Sequence, residues 1–130
     1  MIAVFPAKID HLYTMLQWIC AAMKGAGVND EVAYKVELAS EEIIVNIILH
    51  GYCDYPGDIE ITVNMIDSTT IEICFKDNGI AHNPLTSAQK LDRSLERVGG
   101  HGVALILSIM DSVVYERQGL NNILRVTCYQ

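Results

Sequence analysis

The most constraining stretch of this chain is Glu42-Ile43-Ile44-Val45-Asn46-Ile47-Ile48-Leu49-His50. Wound as a helix at about 100° per residue, it gathers Glu42, Asn46 and His50 into a stripe about 80° wide. Aliphatic side chains fill every other direction. A helix apolar nearly all round has to be buried, so the fold must lay this segment against a second layer. The three polar side chains then either satisfy one another or line a site, because desolvating each of them unpaired costs about 2 kcal/mol or more.

The rest of the chain supplies that second layer. Ile59, Ile61, Val63 and Met65 alternate with Glu60, Thr62 and Asn64, and Ile71, Ile73 and Phe75 alternate with Thr70, Glu72 and Lys76. Period two with a turn near Asp67 and Ser68 predicts a hairpin with one wet face. Residues 112–118 and 123–129 predict a second hairpin around a turn at residues 119–122. Residues 1–5 read as an opening strand that runs into Pro6. Ile9, Leu12, Tyr13, Leu16, Ile19, Cys20 and Met23 recur at helical spacing up to Gly25 and Gly27. Asn29 or Asp30 can cap a second helix, which carries the polar stripe to about His50 before Gly51 and Pro56 interrupt it. Val103, Ile106, Leu107 and Met110 suit a buried third helix opening after Gly102. This order predicts an α+β fold, a two-layer α/β sandwich with a mostly antiparallel sheet and helices on one face. At 130 residues it forms a single domain, 1–130.

Composition narrows the partners. With 51% hydrophobic and 19% charged residues the chain lies far from the disordered class. Sixteen acidic against nine basic residues give a net charge of -7, which disfavours a nucleic-acid surface and leaves a protein or a small molecule. Cys20, Cys53, Cys74 and Cys128 are scattered without disulfide spacing, as in a reducing cytoplasm. The apolar start is short and lacks a basic leader, so it does not read as a secretory signal. No stretch approaches the about 18 apolar residues of a membrane span. A soluble cytoplasmic protein is expected.

Three motifs can carry chemistry. Glu42 and Asn46, one turn apart, suit a hard cation beside a hydroxyl in need of a base. Asp77-Asn78-Gly79 closes a strand either as an ordinary turn or as a carboxylate that accepts from an exocyclic amine, with Gly79 allowing close approach. Gly99-Gly100-His101-Gly102 opens a helix and is either a hinge or a phosphate cradle of backbone N–H groups. It has neither the Gly-Lys-Ser/Thr of a P-loop nor dinucleotide-fold glycine spacing. His11, His50, His82 and His101 lack zinc-site spacing, no G-x-S-x-G is present, and Tyr13 and Trp18 read as core or rim aromatics.

Taken in order and with their gaps, Glu42-x-x-x-Asn46-x-x-x-His50, Asp77-x-Gly79 and Gly100-x-Gly102 resemble the GHKL ATPase superfamily, and within it the bacterial anti-sigma-factor serine kinases. The likeness runs over nearly the whole chain. It implies a Bergerat fold binding ATP and Mg2+, with Glu42 as general base, Asn46 on the metal, Asp77 on the adenine amine and Gly79 beneath the base. It further implies backbone donors to phosphate from Gly100 and Gly102, with His101 and Val103 beside them, and a lid over residues 83–98 from which Arg97 reaches the terminal phosphate. His50 falls where the family often has histidine. Two positions depart from the pattern: Ala81 replaces a second glycine, and Asn121-Asn122-Ile123 stands where some relatives carry threonines that assist adenine recognition.

The resemblance implies an anti-sigma factor that binds a sigma factor, phosphorylates Ser/Thr on an anti-sigma-factor antagonist protein and forms a homodimer. The alternatives are a non-catalytic ATP-binding module controlled by its nucleotide state and a structural interaction domain without nucleotide. A histidine-kinase ATP domain fits poorly, because a single helix precedes the site helix.

Overall fold

The computed structural model describes residues 1–52, 56–85 and 101–130. Strand β1 (Ile2–Pro6) leads through a 3-10 turn (Ile9–His11) into α1 (Leu12–Gly25), followed by α2 (Asp30–Asn46), which continues as a π-helical segment (Ile47–Tyr52). The hairpin β2 (Asp58–Met65) and β3 (Thr70–Asp77) comes next, then α3 (His101–Ile109) and the hairpin β4 (Ser112–Gln118) and β5 (Asn121–Tyr129). The strands form one sheet in the order β1-β2-β3-β5-β4, with every neighbouring pair antiparallel.

Alternation along the strands creates the two faces. Ile59, Ile61, Ile71, Ile73, Phe75 and Val126 are fully buried, whereas Glu60, Thr62, Glu72 and Lys76 keep contact with water. Met15, Ile19 and Met23 of α1, Val36, Ile43 and Ile44 of α2, and Ile106 of α3 complete one hydrophobic cluster with the inner face. Each such side chain contributes about 1.5–3 kcal/mol on leaving water. The arrangement is the expected two-layer α/β sandwich.

Local chemistry sets the ends of the elements. Asn29 caps α2, its side-chain oxygen accepting the Val32 N–H at 2.9 Å. Asp67 closes the first hairpin by accepting the Thr69 N–H at 2.8 Å. In the second hairpin Gly119 takes a φ of +58°, a left-handed conformation that glycine adopts without penalty.

Four expectations are corrected. Ile9 and Tyr13 are exposed: Ile9 lies in a 3-10 turn ahead of α1, and Tyr13 sits on the side of α1 away from Met15 and Ala22, which take inward positions, while Trp18 packs edge-on against Phe5. Leu107 is exposed on the outer side of α3. The second turn is confined to Gly119 and Leu120, so Asn121 and Asn122 belong to β5. The site helix keeps α geometry only to Asn46; the wider π-helical turn beyond it carries His50 off the Glu42–Asn46 line and leaves Leu49 exposed.

Candidate functional site

The end of α2, its π-helical extension, the last residue of β3, the start of β5 and α3 surround a narrow cavity of about 30 Å³. Ile43, Ile47, Ile106 and Leu124 make its apolar wall, and Asn46, Asp77, His82, Tyr115 and Asn122 also line it.

Asp77 is 6% exposed, and its position follows from strand register. The final residue of β3 stands directly opposite Asn122 of β5. Asp77 Oδ1 accepts the Asn122 side-chain N–H at 3.0 Å and the Gly79 backbone N–H at 2.9 Å. The other carboxylate oxygen, Oδ2, has no hydrogen-bond partner among the described residues. Asn122 also donates to the Ile80 carbonyl at 2.9 Å, while its Oδ1 accepts from the Tyr115 hydroxyl at 2.5 Å and from Arg117 at 3.1 Å. Arg117 further donates to the carbonyls of Gly79 and Gly119.

The π-helical segment makes the floor of this region. A Cβ on Gly79 would stand 2.4 Å from the Gly51 carbonyl oxygen, and Ile80 N–H donates to that same oxygen at 2.8 Å. The absent side chain of Gly79 is therefore already required by backbone packing within the protein. The Tyr52 hydroxyl lies 2.5 Å from the Asp58 carbonyl oxygen and 2.6 Å from Asn78 Oδ1, and accepts the Asn78 N–H at 3.0 Å. Burial pushes its phenol above the ordinary value, against the opposing pull of the Asn78 N–H.

Glu42 stands one turn before Asn46 on α2. Its carboxylate packs against Gly102 in the first turn of α3, where a Cβ would stand 2.3 Å from Oε2. The positive end of a helix dipole favours a carboxylate there. Neither Glu42 nor Asn46 makes a side-chain hydrogen bond or ion pair with any described residue. Both therefore retain donor atoms for an incoming group, and a carboxylate with an amide oxygen is a hard donor pair that suits magnesium.

The remaining sequence-derived residues divide by position. Val103 is 4% exposed and His101 opens α3. His50 does not line the cavity; its ring lies 5.4 Å from that of His82, which does. Burial and the neighbouring His50 hold the His82 imidazole below its ordinary value, with Asp77 opposing them. Arg97, Gly100 and most of the lid expected over residues 83–98 lie outside the described residues. Asn122, noted in the sequence only as a departure from the family pattern, joins Tyr115 and Arg117, which the motifs did not assign a role. A two-residue reading of the second hairpin loop would have placed Asn122 in a strand.

The fold brings a buried carboxylate at a strand end to the same region as an acid–amide pair on the facing helix and a glycine-bearing helix start. Residues 5–128 match the family described as histidine kinase-like ATPase domain, and the chain belongs to that family. It is similar to the serine-protein kinase RsbW of Listeria monocytogenes serotype 4a (strain HCC23) and serotype 4b (strain CLIP80459), at 28% identity over 125 residues in each case. Those alignments cover 89% of this chain and 79% of the relatives. The resemblance to the GHKL superfamily and its anti-sigma-factor kinase type is thus met. Among the described residues no helix is long and apolar enough to cross a membrane.

Proposed function

We propose that this chain is an ATP-dependent protein serine/threonine kinase that also acts as an anti-sigma factor, binding a sigma factor and phosphorylating Ser/Thr on an antagonist protein. The observation that carries the reading is the pairing of Asn46 and Asp77 on one cavity, with Glu42 one helical turn before Asn46 and packed against Gly102. The family match and the likeness to serine-protein kinases support the chemistry.

In this reading Asp77 accepts a hydrogen bond from the adenine amine, and backbone N–H groups at the start of α3 face the phosphates. Asn46 is the residue to hold Mg2+, which when bound neutralises phosphate charge. Glu42 takes the proton of the acceptor hydroxyl as that oxygen bonds the γ-phosphorus and the bond to the β–γ bridging oxygen breaks, releasing ADP. Phosphoryl transfer depends chiefly on positioning and charge stabilisation, so these few side chains suffice. The net charge of -7 is compatible with docking on a basic sigma-factor surface. Homodimer formation and a cytoplasmic location belong to the same proposal.

The test is phosphate transfer from ATP to candidate antagonists by purified protein. Glu42→Gln is expected to lower the rate by about 10²- to 10⁴-fold, the usual share of a general base. Undiminished transfer removes Glu42 from the role. ATP binding without transfer to any antagonist favours the nucleotide-controlled module.

A further inference from the structure

Near the end of β4, Arg117 is a cation whose charge meets only neutral groups. Its Nε donates to the Gly119 carbonyl at 3.1 Å, and its Nη1 donates to the Gly79 carbonyl at 2.9 Å and to Asn122 Oδ1 at 3.1 Å. Among the described residues Nη2 makes no hydrogen bond, and no carboxylate lies within ion-pair distance of the guanidinium. The adjacent acid, Glu116, points to the opposite face of the strand and pairs there with Arg125 at 3.2 Å. Three bonds therefore hold a positive point in a fixed place, with one donor edge left over.

That guanidinium opens on a groove of about 360 Å³. Pro56, Ile80 and Leu120 line it together with Arg117, and the Gly51–Gly79 contact forms part of its wall. It shares only Gly51 with the lining of the cavity that carries Asn46 and Asp77. Ile80 is 60% exposed and Leu120 77%, so two large aliphatic side chains stand in water beside the cation. Neither belongs to the hydrophobic core.

The chemistry of the lining selects the occupant. An arginine with its geometry already fixed, ringed by aliphatic side chains, is the usual anchor of a protein contact, because little rotamer freedom is lost on binding. The two N–H groups of Nη2 match one carboxylate. A phosphate would call for more donors, and Pro56, Ile80 and Leu120 have no side-chain donor to add. A wholly apolar segment would cover the guanidinium and leave it unpaired, which is costly. The net charge of -7 works against long-range attraction of an acidic partner, so selectivity has to come from contact.

We propose that the groove between Ile80, Leu120 and Arg117 docks an extended segment of a partner protein in which a side-chain carboxylate is flanked by aliphatic residues, with the carboxylate seated on Arg117 Nη2. This surface goes beyond the nucleotide reading and stands independently of it.

The probe is the peptide acetyl-Gly-Leu-Glu-Leu-Gly-amide, titrated into the isotope-labelled full chain and followed by backbone amide NMR shifts, with glutamine in place of the glutamate as control. Saturable shifts centred on Gly79, Ile80, Gly119 and Leu120 are expected, with the control about tenfold weaker, as for loss of a charge-assisted hydrogen bond. Affinity for the acidic peptide is expected to fall as salt rises. Leu120→Asp, a change at an exposed turn residue, is expected to weaken the acidic peptide by about tenfold or more through loss of apolar contact and like-charge repulsion, while ATP affinity stays within about twofold. Arg117→Gln is expected to equalise the two peptides; should it fail to fold, Leu120→Asp decides. Equal binding of both peptides by the wild type, shifts centred elsewhere, no saturation at millimolar peptide, or undiminished binding in Leu120→Asp overturns the proposal. Inorganic phosphate that produces the same shifts at lower concentration than the peptide makes the groove a simple anion site and also overturns it. A wild type that binds the acidic peptide but no ATP refutes the nucleotide reading alone.

Discussion

Gly79 rests on the backbone of Gly51, with space for no side chain between them: a Cβ would lie 2.4 Å from the Gly51 carbonyl oxygen and 2.6 Å from its carbon. The contact joins the turn after β3 to the π-helical end of the site helix. It places Asp77, two residues earlier, beside the cavity with its Oδ1 accepting the Gly79 N–H.

Gly79→Ala is therefore expected to destabilise the protein, because the obstructing atoms are backbone and cannot rotate away. Overpacking of this kind costs about 1–3 kcal/mol. Gly25→Ala, where a Cβ meets nothing within 4 Å, is the control and is expected to be neutral or mildly stabilising. Urea denaturation of the pair checks this; equal stabilities would remove the contact from the argument.

Gly102→Ala meets a different obstacle. The nearest atom is the Glu42 carboxylate oxygen, the movable end of a side chain, at 2.3 Å. The added methyl displaces the proposed base more than it strains the fold. The turnover of phosphate transfer is expected to fall about 10- to 100-fold, as for a misplaced reacting group, with a smaller loss of thermal stability than in Gly79→Ala. Unchanged turnover would detach Gly102 from Glu42.

Asn46→Ala tests the metal. Its side chain borders the cavity without a described partner, so little structural support is lost on truncation. Calorimetry with ATP and ADP, with and without magnesium, is expected to show loss of the magnesium-dependent part of the affinity by about tenfold or more. Retention of that increment in the variant excludes Asn46 as ligand.

The His82 imidazole sits below its ordinary value through burial and the adjacent His50, with Asp77 acting against both. A histidine with a depressed value binds its proton more readily in the unfolded chain, so stability is complete above about pH 6.5 and declines as pH falls toward the lower folded value. His82→Gln is expected to flatten that part of the stability profile. Denaturation midpoints across this window that fall as steeply in the variant as in the wild type would contradict it.

The element order was legible because burial imposes a period on each element. The alternation in residues 59–65 and 71–75 became two neighbouring strands, and the apolar run around Ile43 and Ile44 became the buried part of the site helix. The exceptions have local causes. Ile9 matches a helical repeat, but a 3-10 turn offsets it from the face that Met15 and Ile19 bury, and Tyr13 points about 200° around α1 from Met15. His50 matches the i, i+4 repeat of Glu42 and Asn46, yet the π-helical turn advances the chain differently past Asn46 and sets His50 against His82. Periodicity measures spacing along one regular helix and cannot register a change in its winding.

The amino-acid order alone determined which side chains had to be hidden and which chemical groups were available: an acid and an amide one turn apart, a carboxylate at a strand end, glycines before a helix. Transfer from water and backbone winding act locally enough to be read that way. Tertiary structure alone decided who meets whom. Asn122 reaches Asp77 across 45 positions only because β5 pairs with β3 in one register. Gly79 is constrained by Gly51, and Gly102 by Glu42, through contacts between elements far apart along the chain. Such meetings depend on how whole elements pack, and a one-residue shift in strand pairing would turn the same side chains to the opposite face.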